Sequence, residues 1–253
     1  MPTHRPESFL NPQLEEATEM EKKFADILKP KMDAASFAKL DALTNDKLHA
    51  FVADAVELCI PDTVKVCDDS KEDIAWIRKR AIEAGEEKAL ATPGHTVHFD
   101  GMQDQGRDKE VTRYLVPSDM SLSKNLNQID RQKGLDEVRG LLAGSMQGRM
   151  MYVRFFCLGP TNSPFSISCA QITDSAYVCH SEDLLYRNGY EQFKRVGNSP
   201  DFFRFLHSAG KLSPEMTSSE PEKKRIYIDL TQDQIYSVNT QYAGNTVGLK
   251  KLA

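Results

Sequence analysis

No stretch of this 253-residue chain approaches the roughly 18 consecutive apolar positions that a membrane-spanning helix requires. The opening residues, MPTHRPESFLNPQ, lack the apolar centre of a signal peptide, so secretion is not expected. Cysteine is sparse. Cys59, Cys67, Cys157, Cys169 and Cys179 are odd in number and widely spaced, which fits neither a disulfide framework nor a zinc site. A reducing, cytoplasmic setting follows as the default. An excess of basic charge is missing too. The formal net charge of -5 argues against nucleic acid as the main partner. It leaves room for an anionic substrate, because a local group of Lys and Arg can bind anions on an acidic protein. No internal repeat is evident. What is present is a 40% share of hydrophobic residues, enough for a real core, in a length suited to one large domain or two small ones.

Apolar residues from Leu40 to Leu58 recur at three- and four-residue spacing, the mark of an amphipathic helix, with Asn45 or Thr44 as its cap. A helical arm is expected over about 12–60, closed by Pro61. A short strand should follow at Val64–Val66, then a helix from Ser70 through Trp76 and Ile82 to Gly85. Residues 92–108 are rich in glycine and read as loop, with a strand at Val111–Val116. The polar stretch Pro117–Lys133 reads as loop and Leu135–Ser145 as helix. Arg149–Leu158 has the β-branched and aromatic content of a strand before a turn at Gly159-Pro160. Ile167–Cys179 reads as two strands joined near Thr173-Asp174, and Glu182–Tyr190 and Asp201–His207 read as helices. Lys211–Lys224 is a polar linker. RIYIDL and QIYSV should then pair as a hairpin around Thr231–Asp233. Strands and helices mix without strict alternation, so the expected fold class is α/β in the broad sense, a mixed α+β arrangement.

Three ordered blocks carry a family resemblance. GRMMYVRFFCLGPTNSPFSISCAQITDSAYV (Gly148–Val178), FFRFLHSAG (Phe202–Gly210) and QYAGNTVGLKK (Gln241–Lys251) resemble, in order and spacing, segments of the phosphoenolpyruvate carboxykinases of the GTP-dependent, archaeal-like type. The resemblance implies the N-terminal, substrate-binding portion of such an enzyme over 1–225, followed from 226 to 253 by the start of an incomplete catalytic domain. It implies conversion of oxaloacetate to phosphoenolpyruvate with release of carbon dioxide, in gluconeogenesis, by a cytoplasmic monomer. The co-substrate would be GTP, leaving as GDP. The cofactors would be one Mn2+ at the substrate and Mg2+ or Mn2+ with the nucleotide.

The chemistry makes its own demands. A dicarboxylate suits a bidentate arginine, and a transient enolate calls for a divalent cation. Within the resemblance, Arg107 is the candidate substrate arginine, with Arg113 as fallback. Tyr242, Ala243, Gly244 and Asn245 align with the family's substrate segment, where small residues admit a close backbone approach; Ala243 stands where a glycine is usual. Lys250 aligns with an electrostatic partner and Lys251 with a metal ligand, which would require a neutral amine. The resemblance puts the remaining metal ligands, a histidine and an aspartate, beyond Ala253, together with the family's phosphate loop and reactive cysteine. Arg107 and the 242–251 residues should therefore converge on one cleft. GNTVGLKK is not a Walker loop, being one residue short and having Lys in place of Ser or Thr. His95 and His98 read as loop-structuring residues rather than a metal pair, and His180 and His207 as packed or capping residues. Thr173 and Asp174 read as turn-setting residues without a catalytic role. Two other readings stay open: a pyrophosphate-dependent carboxykinase, and a non-catalytic binding module. The isolated chain is not expected to turn over.

Overall fold

The helices begin where short polar side chains can satisfy the free N–H groups of a first turn. The computed structural model describes residues 24–99 and 110–241. Residues 24–28 are helical and pass into a 3-10 turn at Lys29–Lys31 that contains Pro30. Asp33 caps α1 (Ala34–Asp41), accepting from the Ser36 N–H. Asn45 caps α2 (Asp46–Cys59), accepting from the Leu48 N–H at 2.9 Å. From residue 24 onward the expected arm is thus broken into pieces, because Pro30 and the two caps each restart the backbone ladder; residues 12–23 lie outside the described residues. β1 (Thr63–Val66) follows, and Ser70 caps α3 (Lys71–Glu83) as the sequence predicts. β2 (Lys88–Ala89) and β3 (Thr96–Val97) then pair as a small hairpin.

β4 (Thr112–Val116) matches expectation. β5 (Gln128–Asp130) does not, since it lies inside the stretch read as loop; it is three residues long and has one neighbour, β4. α4 (Arg131–Leu142) starts at Arg131 rather than Leu135, because the Asp130 carboxylate accepts from the Lys133 N–H at 3.0 Å. β6 (Met150–Leu158) leads to β7 (Ile167–Thr173). The second strand expected before Cys179 is instead α5 (Ala176–Leu185), started by Ser175, whose hydroxyl accepts from the Val178 N–H. The helix expected over Glu182–Tyr190 gives way to β8 (Arg187–Asn188), with α6 (Tyr190–Lys194) after it. Asp201–His207 is not helical either. It contributes most of β9 (Phe203–Ser208), whose residues 205–208 are buried on both faces. β10 (Arg225–Asp229) and β11 (Gln234–Val238) form the expected antiparallel hairpin.

Among the described residues these strands make a nine-stranded mixed sheet in the order β1-β6-β7-β9-β11-β10-β4-β5, with β8 beside β6. β10 and β11, which follow the expected boundary at 225, are hydrogen-bonded within this same sheet. Helices cover both faces, as period-two alternation in β6 requires. Met151, Val153 and Phe155 join the core with Leu48, Val52 and Leu142 of α2 and α4. Tyr152 packs on the other side with Ile77 and Ala81 of α3 and Ala176 and Cys179 of α5. On that second side the nearly buried Arg154 pairs with Asp183 of α5 and donates to the Asp68 carbonyl at 3.1 Å. All five cysteines are free and buried. Burial pushes the Cys59 and Cys67 thiols up to about 12 and those of Cys169 and Cys179 well above the ordinary value, so these are unreactive packing residues.

The close crossing of β6 by the chain before α6 depends on one glycine. A Cβ at Gly189 would stand 2.5 Å from the N, Cα and C atoms of Phe156, while the Gly189 N–H donates to the Phe155 carbonyl. Gly189→Ala should therefore destabilise the chain by about 2 kcal/mol through overpacking. The check is a lower urea midpoint with an unchanged m-value.

Candidate functional site

The topology gathers several strand ends at one edge of the sheet. β7, β9 and β11 are parallel neighbours, so their carboxyl ends, at Thr173, Ser208 and Val238, emerge together. β6 and β10 run antiparallel to this group and β4 runs parallel to β10, so all three of these strands start at that same edge. In open α/β sheets ligands bind outside such carboxyl ends. Thr112, Ile226 and Ser237 stand side by side in register. The chain entering β4 and the chain leaving β11 therefore meet this edge two strand spacings apart, about 10 Å. Arg107 belongs to the segment before β4, and Tyr242, Ala243, Gly244, Asn245, Lys250 and Lys251 to the segment after β11. All seven lie outside the described residues. So does Ala253, beyond which the resemblance puts the remaining metal ligands. The fallback Arg113 is described. It is exposed on β4, paired in register with Tyr227, and its charge acts on Glu137 of α4.

Between the strand ends lies a buried polar network. The Asp174 side chain is fully buried and holds three donors: Arg149 Nη2 at 2.7 Å, the Ser208 hydroxyl at 2.7 Å and the Ala209 N–H at 2.8 Å. It thus ties the start of β6 to the ends of β7 and β9. His207, also fully buried, lies between Thr173 Oγ1 at 2.7 Å and the Thr240 carbonyl at 3.1 Å. A carbonyl can only accept, so Nε2 of His207 carries the proton. Nδ1 then accepts from the Thr173 hydroxyl, whose oxygen in turn accepts from the Ser175 N–H at 3.1 Å. Gly210 adopts φ +69, and a Cβ there would overlap Asn239 Oδ1 at 1.8 Å, so only glycine permits this approach of the two strand exits.

Two clefts flank the network. One, of about 450 Å³, is lined by Arg149, Gly210, Lys211, Glu220, Lys223 and Asn239 together with the C-terminal turn of α4. Its charges are largely compensated, since Lys223 pairs with Glu220 at 2.8 Å and Arg149 with Asp174. The other, of about 430 Å³, lies beside the β2–β3 hairpin and is lined by Glu86, His98, Phe99 and Pro214. Glu86 reaches the N-terminus of α5 and accepts from the N–H groups of Ala176 and Tyr177 and from the Ser175 hydroxyl. His98 stacks on Tyr177 and bonds the Glu86 carbonyl, and His180 pairs with Glu87 at 2.8 Å. His95 holds the loop through its backbone. These histidines order the hairpin and α5, as the sequence suggests. No group of three or more His, Cys, Asp and Glu among the described residues is placed to hold a metal ion. Arg149 and Asp174 lie in the first of the three blocks and His207 in the second, and nothing in their spacing signals that they meet.

Burial lowers the pKa of His207 from its ordinary 6.5 to about 4. Below pH 6.5 the unfolded chain takes up a proton there that the folded chain refuses, until pH falls through about 4. From pH 8 to pH 5 this costs about 2 kcal/mol of stability. Urea titrations of wild type and His207→Gln at both pH values should show the wild type losing more by about that amount. Equal slopes in the two proteins would mean that His207 is not buried neutral.

Comparisons with known proteins find relatives of one family. The profile of the phosphoenolpyruvate carboxykinase N-terminal domain matches residues 50–253. A Thermococcus kodakarensis protein named phosphoenolpyruvate carboxykinase (GTP) is 55% identical over 185 residues, which cover 73% of this chain and 30% of the relative. The same name belongs to a Thermococcus sibiricus protein, 54% identical over the same shares, and to a Saccharolobus solfataricus protein, 50% identical over 184 residues, covering 73% of this chain and 28% of the relative. The chain spans about 30% of the length of the curated relatives it matches. With its mixed sheet and a family match over most of its length, the chain belongs to the phosphoenolpyruvate carboxykinase family, as that family's N-terminal domain.

Proposed function

We propose that this chain is the substrate-binding portion of a GTP-dependent phosphoenolpyruvate carboxykinase acting in the cytoplasm as a monomer, in gluconeogenesis. The reaction is decarboxylation of oxaloacetate and phosphorylation of the resulting enolate by GTP, giving phosphoenolpyruvate, carbon dioxide and GDP. The observation that carries this reading is the strand register. It brings the start of β4, which follows Arg107 in sequence, and the end of β11, which precedes Tyr242, to one edge of one sheet, two strands apart.

Arg107 would bind a substrate carboxylate or phosphate through its planar fork, which a point-charge lysine cannot imitate. Tyr242 would lie against the substrate, and the small Ala243 and Gly244 would let backbone N–H groups approach it, with Asn245 completing the turn. Lys250 would supply positive charge toward the substrate anion. Lys251, as a neutral amine, would be this chain's ligand to Mn2+, with Mg2+ or Mn2+ accompanying the nucleotide. A divalent cation at that place supplies stabilisation of the enolate oxygen. The described residues hold no metal-binding group, so the fit of the ion rests on Lys251 and on ligands outside them.

The donor is tested on the whole protein with oxaloacetate and either GTP or pyrophosphate. Phosphoenolpyruvate should form with GTP. Formation with pyrophosphate alone would replace this reading by the pyrophosphate-dependent one, and none with either donor would favour a binding module. Arg107→Ala should lower kcat/KM for oxaloacetate by about a hundredfold, the scale expected when a substrate is misplaced. Arg113→Ala should change it by no more than a few-fold. Equal, small effects would show that Arg107 is the wrong arginine.

A further inference from the structure

The strand-end network does more than stabilise the sheet. Thr240 stands two residues ahead of Tyr242 and is held from several directions. Its carbonyl accepts from His207 Nε2–H, and its hydroxyl bonds that of Ser237 at 2.8 Å. The Asn239 N–H donates to the Ser208 carbonyl at 3.0 Å, and Asn239 itself takes a left-handed φ of 54° against Gly210. Gln241, with its amide turned to satisfy both ends, donates to the Met216 carbonyl at 3.1 Å and accepts from the Ser218 N–H at 3.0 Å. The backbone that leads out of β11 is therefore fixed in direction up to residue 241. A bond through His207 ties it across the sheet to β7. That bond has a fixed polarity, because the Thr240 carbonyl can only accept and so keeps the proton on Nε2, leaving Nδ1 to accept from the Thr173 hydroxyl.

We propose that His207 is a positioning residue: through its Nε2–H bond to the Thr240 carbonyl it sets where the chain from Tyr242 to Asn245 begins, and hence where those residues meet substrate. The assignment rests on the carboxykinase reading for its substrate and on the His207–Thr240 contact for the tether itself. His207 touches no substrate and acts only through Thr240. Its placement suits this role. A fully buried neutral imidazole bridges two strands that are not adjacent, β7 and β11, from the strand β9 between them. A substitution that keeps the bulk and removes both bonds would leave the sheet register and free the exit.

The test has two arms. In the whole protein, His207→Leu should raise the KM for oxaloacetate or lower its kcat/KM by about tenfold while the KM for GTP stays within twofold. His207→Asn, which retains a donor and an acceptor, should recover part of the loss. In the 253-residue chain, amide resonances of Tyr242, Ala243, Gly244 and Asn245 should shift in His207→Leu and return toward wild type in His207→Asn. If His207→Leu does not fold, His207→Met serves in its place, since its longer, flexible side chain fills the site without a donor for the Thr240 carbonyl. Unchanged amide resonances at 242–245 in a folded variant would overturn the positioning role, and so would a kcat/KM for oxaloacetate within twofold of wild type. Absence of carboxykinase activity in the wild type would instead overturn the functional reading, and the resonance arm would still decide the tether.

Discussion

A buried carboxylate must find donors or go without its charge, and Asp174 finds three on two other strands. That demand shapes the functional edge of the sheet. It draws Arg149 in from the start of β6 and closes the end of β9 around Ser208 and Ala209. His207, next to Ser208, is carried inward with them and is fully buried. It takes Thr173 and Thr240 as partners. Removing Arg149 would leave the fully buried Asp174 without its cationic partner, an arrangement that costs several kcal/mol in buried pairs. The edge is thus specified by polar satisfaction, while the sheet behind it is specified by apolar packing.

The division of labour is plain in how the site is made. Regular strands with buried side chains supply a rigid frame, and the residues proposed for chemistry sit on the segments that leave it. This is the usual separation of scaffold from function. The hairpin of β2 and β3 follows the same logic. It is short, yet Glu86 and Glu87 fasten it to α5 through the helix N-terminus and His180. The chain that runs on toward β4 therefore starts from a fixed point.

Much of the frame could be read from residues alone. Asn45 and Ser70 announce their helices because an N-cap is a local device. The alternation of β6 and the hairpin of β10 and β11 are local as well. The errors fall where tertiary context decides. Phe202, Phe203, Phe205 and Leu206 have spacing that suits a helix, but the segment runs between two parallel strands and is covered on both faces, which gives β9 no alternation to display. Ala176–Cys179 has the composition of a strand, yet Ser175 and the distant Glu86 satisfy its first N–H groups and turn it into helix. β5 is too short and too polar to show a pattern. For the site, the residues of 107 and 242–251 came from resemblance, not from any spacing rule. The Arg149–Asp174 and His207–Thr240 contacts were hidden because nothing in one sequence says which buried polar groups meet.

The place of β4 in the sheet has a consequence for how the protein comes into being. Among the described residues β4 is joined to the rest of the sheet through β10, and β5 through β4. During synthesis both strands leave the ribosome long before Arg225, so the first partner that can attach them to the rest does not yet exist. Until β10 emerges, β4 presents open backbone edges of the kind that invite pairing with other chains. The last hairpin, rather than the first helices, therefore locks the sheet, and the pairing of Thr112 with Ile226 closes a very long loop in doing so. Topologies of this sort fold slowly. The proposed binding edge can thus form only once β10 and β11 have emerged, well after β4 and β5.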